Sequence, residues 1–60
     1  MPAIETFDWF KSLVWDQLSE EARRGLDEQR DYLLAIRNEN ERRRFIEEIM
    51  KDVRRSLKRK

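Results

Sequence analysis

The sequence predicts an all-α protein: a small three-helix bundle built from a helical hairpin preceded by an amphipathic N-terminal helix. Two observations carry that expectation. Bulky apolar residues recur at three- and four-residue steps through three segments of the chain, the spacing that lines one face of a helix. The only marked interruptions are the polar positions at Ser19 and at Asn38-Glu39-Asn40, with one Gly and one Pro in the whole sequence.

The first helix is expected over about residues 6–18. Thr6 suits an N-cap, and Asp8 in the first turn opposes the positive end of the helix dipole. Phe7, Phe10, Val14 and Leu18 form one stripe. Ile4 joins it if the helix begins near Pro2, a residue suited to the first turn.

The second helix is expected over about residues 20–37, with Ser19 as N-cap and Glu20 and Glu21 in its first turn. Ala22, Leu26, Gln29, Leu33 and Ile36 share a face, with Tyr32 at its side. Gly25 falls on that face too. It marks either a close approach of a neighbour or a tolerated weak point, since Gly inside a helix costs about 1 kcal/mol relative to Ala.

Asn38 and Glu41 have capping-box spacing, and Asn40 offers an alternative N-cap. Either choice leaves a short turn, so the second and third helices should run antiparallel. The third helix, over about residues 41–58, has the cleanest pattern. Phe45, Ile46, Ile49, Met50, Val53 and Leu57 occupy one side and charged residues most of the rest. A long two-helix hairpin whose N-terminal segment reaches another subunit uses the same core residues.

Sixty residues give one domain and a thin core, because a chain of this size buries only about 60% of the surface its unfolded form exposes. Cysteine and histidine are absent, so disulfides and the usual zinc sites cannot add support. A second subunit or a protein partner is the remaining source, and a homo-oligomer is expected. No apolar run approaches about 18 residues and no basic-then-apolar leader opens the chain, so neither a membrane partner nor a signal peptide is expected. The default location is then cytoplasmic.

Charge is divided along the chain. Residues 1–41 carry five basic and ten acidic side chains, residues 42–60 nine basic and three acidic, and the net charge of +1 conceals the division.

The first segment holds both tryptophans, and its apolar residues spread over more of the helix than one core-facing stripe requires. One reading encloses this helix between the other two. The other packs Phe7, Phe10 and Val14 inside and leaves Trp9, Leu13 and Trp15 for another chain. Trp recurs at interfaces because it buries a large rigid surface. Leu34, off the main stripe of the second helix, is a candidate for the same patch. The concentration of aromatics would equally suit an engineered binder on a helical scaffold.

The C-terminal cluster Arg54, Arg55, Lys58 and Arg59 can neutralise phosphates, which makes nucleic-acid binding the alternative function. Against it, Arg43–Glu47, Glu47–Lys51 and Arg44–Glu48 have the spacing of pairs along a helix, and acids of the second helix could neutralise the third. No His or Cys is available as base or nucleophile, and no glycine-rich loop can cradle phosphate. The carboxylates Glu20, Glu21, Asp27, Glu28 and Asp31 alternate with Arg23, Arg24 and Arg30, as in a solvated, paired face rather than a metal site. The expectation is a non-enzymatic interaction or assembly module with no cofactor, metal or small-molecule substrate.

Overall fold

Three helices pack together without strands in the computed structural model, which describes residues 2–58. Helix α1 spans Ala3–Val14, α2 Glu20–Ala35 and α3 Glu39–Lys58, and a 3-10 turn, Trp15–Gln17, follows α1. The described chain measures 34 × 18 × 15 Å along its principal axes.

Helix α1 begins three residues before the expected Thr6. Pro2 takes the N-cap position in an extended conformation and supplies no side-chain cap. The cap comes from the start of α3, where Glu39 Oε1 accepts from the Ala3 amide at 2.9 Å. The helix also ends before Leu18. Val14 is its last residue, the 3-10 turn follows, and the extended Leu18 donates its N–H to the Trp15 carbonyl at 3.2 Å.

Ser19 caps α2 as expected, its Oγ accepting from the Ala22 amide at 3.1 Å. The helix stops at Ala35, two residues short of the expectation, because Ile36 turns extended and donates back to the Leu33 carbonyl. Arg42 completes this terminus. Its Nε donates to the Leu33 carbonyl at 3.0 Å, one Nη to the Ile36 carbonyl, and the other to Glu39 Oε2 at 2.7 Å. A charged fork therefore takes the place of the glycine that often closes a helix. At α3, Asn38 and not Asn40 is the cap, its Oδ1 accepting from the Glu41 amide at 3.0 Å, so the helix opens at Glu39 rather than Glu41.

Phe7, Leu33 and Ile46, one from each helix, lose nearly all contact with solvent. Ala3 and Leu26 join them, and Ile4, Leu18, Ile36, Ile49, Met50 and Val53 pack at the margin. Each fully buried large apolar side chain contributes roughly 1.5–3 kcal/mol. Phe45, placed by the sequence on the core side of α3, is a correction. It is 44% exposed and meets Tyr32 edge-on with ring centroids 5.7 Å apart. It stands at the edge of the apolar stripe, and only Ile46 beside it reaches the centre.

The contacts give the directions of the helices. Ala3 lies at the start of α3 and Phe10 beneath Arg54 near its end, so α1 and α3 run parallel. Asp8 meets Arg30 and Lys11 meets Asp27, so α1 and α2 run antiparallel, as do α2 and α3 through Tyr32–Phe45 and Leu33–Arg42.

Candidate protein-interaction surface

The sides of α1 have different neighbours. One buries Ala3, Phe7, Phe10 and Val14. A second is tied to α2 by ions: Arg30 Nε and Nη2 clasp the two oxygens of Asp8 at 2.8 and 3.0 Å, and Lys11 Nζ meets Asp27 Oδ1 at 2.9 Å. The remaining side carries Trp9 and Leu13, four residues apart and therefore adjacent on the helix. They are 62% and 57% exposed.

The Arg30 clasp acts on the Asp8 carboxyl. The paired hydrogen bonds from Arg30 hold it below the ordinary aspartate range, against the opposing effect of partial burial, and the charges of Arg30 and Lys11 add to the lowering. The same contact raises the affinity of Arg30 for its proton.

Trp15 does not share the surface of Trp9. It is half-buried where α1 turns toward α2, with Lys11 Nζ 5.2 Å and the Arg23 guanidinium 5.3 Å from its ring centroid. Arg23 Nε also donates to the Trp15 carbonyl at 3.0 Å. Cation–π contacts and that hydrogen bond make Trp15 a support of the turn. Leu34 is exposed, and it continues the row Asp27–Arg30 along α2, on the side bound to α1. The structure thus brings Trp9 and Leu13 together and places Trp15 and Leu34 along another edge.

A second apolar feature lies on the seam between α2 and α3. A hollow of about 260 Å³ is walled by Leu18, Leu26, Ile49 and Val53, with Ala22 and Gly25 among its lining residues. A Cβ added at Gly25 would meet nothing within 4 Å, so no neighbour requires glycine there. Tyr32 and Phe45 stand exposed on the same seam. Sequence reasoning missed this pair. The signal was there, in that both residues border a main stripe without belonging to its centre.

On α3, Arg54, Arg55 and Lys58 are exposed, while Arg59 lies outside the described residues. The ion pairs among the described residues are Lys11–Asp27, Arg30–Asp8 and Arg42–Glu39. The intrahelical pairs expected at Arg43–Glu47, Glu47–Lys51 and Arg44–Glu48 do not form, nor do those expected along α2. Solvent competes well for such exposed charges. The α2 acid that does pair across helices, Asp27, meets α1 and not α3. Arg54 lies over the Phe10 ring at 5.9 Å and donates to the Met50 carbonyl at 3.4 Å.

Among the described residues, no three His, Cys, Asp or Glu side chains converge as a metal site, and no helix is long and apolar enough to cross a membrane. Fold and surface define a three-helix bundle with an aromatic–aliphatic patch on its first helix. Comparison with protein-family models, curated proteins and solved structures finds no match to the chain.

Proposed function

We propose that this chain is a non-enzymatic helical interaction module whose contact is centred on Trp9 and Leu13. One observation carries the reading: a Trp and a Leu stand exposed side by side on a helix whose other sides are already packed or ion-paired. Trp in such a position offers a large rigid surface, and its burial against a partner would supply the free energy of a contact.

The test is the double variant Trp9→Ala/Leu13→Ala. Neither residue supports the core, so helical circular dichroism and the unfolding midpoint should stay near those of the parent. Association, read as mass by sedimentation over a concentration series or as partner capture, should weaken tenfold or more. Unchanged association with the fold intact would overturn the reading.

A second reading has its own support. Arg55 and Lys58 are exposed without ion-pair partners among the described residues, and Arg54 is exposed beside them, so this helix end could serve phosphates. Such binding would be backbone-directed rather than base-specific.

A further inference from the structure

The two outer seams of α3 differ in charge and in shape. Toward α1 run Arg43, Glu47, Lys51, Arg54 and Lys58 at three- and four-residue steps. Arg43 and Glu47 line a hollow with Ala3 and Thr6, and Arg54 lies over Phe10. Leu13, seven residues past Thr6, and its neighbour Trp9 stand on the same side. This seam is basic, and its apolar part projects.

Toward α2 the pattern reverses. Glu21, Gly25, Glu28 and Tyr32 follow one another along α2, and Phe45, Glu48, Asp52 and Ser56 along α3. Gly25, Asp52 and Ser56 line the hollow between the two helices. Glu21, Glu28, Glu48 and Asp52 are exposed, and none is ion-paired among the described residues. This seam is acidic along its floor, with the exposed Arg44 and Arg55 at its outer margin, and its apolar part is recessed.

We infer that the partner of the Trp9–Leu13 surface is a second copy of this chain, which receives Trp9 in the hollow between α2 and α3 and sets its carboxylates against the incoming Arg43, Lys51, Arg54 and Lys58. The inference rests on the reading of Trp9 and Leu13 as a contact surface and adds its occupant. Complementary charge is what selects a second copy, since one molecule bears both the basic projecting face and the acidic recessed one. Such a contact is heterologous, with one patch meeting a different patch, so each molecule keeps one free surface of each kind.

That asymmetry gives a sharp experiment. Trp9→Ala/Leu13→Ala removes the projection and leaves the hollow. Gly25→Lys fills the hollow and adds a repelling charge, at a position with room for a side chain and with better helix propensity. Sedimentation of the parent should show species growing with concentration and weakened by salt. Each variant alone should stay monomeric, and their mixture should form a one-to-one heterodimer and nothing larger.

A mixture that stays monomeric, or a Gly25→Lys variant that associates like the parent, overturns the inference. If the parent's association is still lost in Trp9→Ala/Leu13→Ala, the contact reading survives that failure. Association indifferent to Trp9 and Leu13 removes both. A parent chain monomeric at every concentration overturns the second copy as partner and leaves an external protein for the surface.

Discussion

Single side chains tie elements that are distant in the chain. Arg42 bonds two carbonyls at the end of α2 and a carboxylate at the start of α3. Hydrogen bonds made by charged groups contribute roughly 1.5–3 kcal/mol, so Arg42→Ala should lower stability by about 2 kcal/mol in urea melts. Arg42→Lys should recover only part, since an ammonium cannot reproduce the fork. Nothing in the sequence separates Arg42 from the cations around it, because its main partners are backbone atoms of another helix. Asp8 acts through pH. Its carboxyl is held low in the folded state, so its contribution is fully present above the ordinary aspartate pKa of about 3.9 and is lost as pH falls through the depressed value. Asp8→Asn should therefore flatten the acid limb of stability below about pH 4, followed as urea midpoints against pH.

At the scale of elements, the local cap of α2 was legible and that of α3 was narrowed to Asn38 or Asn40. Ser19 and Asn38 each accept from an amide three residues ahead, within reach of a short sequence window. The start of α1 was not legible, since its cap belongs to another helix. Phe45 shows a different limit. Periodicity assigns a face, but the depth reached at the edge of that face depends on how closely the neighbouring helix approaches. Gly25 resolves the other way: the space around it is open and its φ is not positive, so glycine is required neither by packing nor by backbone. Gly25→Ala should raise stability by about 0.5–1 kcal/mol, measured as a higher urea midpoint with unchanged slope.

For the whole molecule, the division of charge along the chain becomes a division between seams. The sequence showed the first and not the second, because the second depends on α1 lying parallel to α3, a direction that no local pattern encodes. The same placement explains why Trp9 and Trp15, both prominent in the sequence, part company. Six residues and the turn after Val14 carry them to different edges. The exposed cations at the end of α3 give the phosphate reading a direct test. If they bind duplex nucleic acid, log affinity should fall linearly with log salt at a slope near −0.9 for each phosphate neutralised, and Arg54→Glu/Lys58→Glu should abolish the binding. Affinity indifferent to salt would remove that reading.

The carboxylate that closes the beginning of α1 lies 36 positions downstream of the amide it accepts from. During translation the first helix is made well before Glu39, and before Ile46, which shares the buried core with Phe7. A nascent chain stopped inside α2 therefore holds an aromatic helix with no core to enter and no closed end. Docking of α1 therefore waits for α3, and these non-local contacts close only when α3 is available.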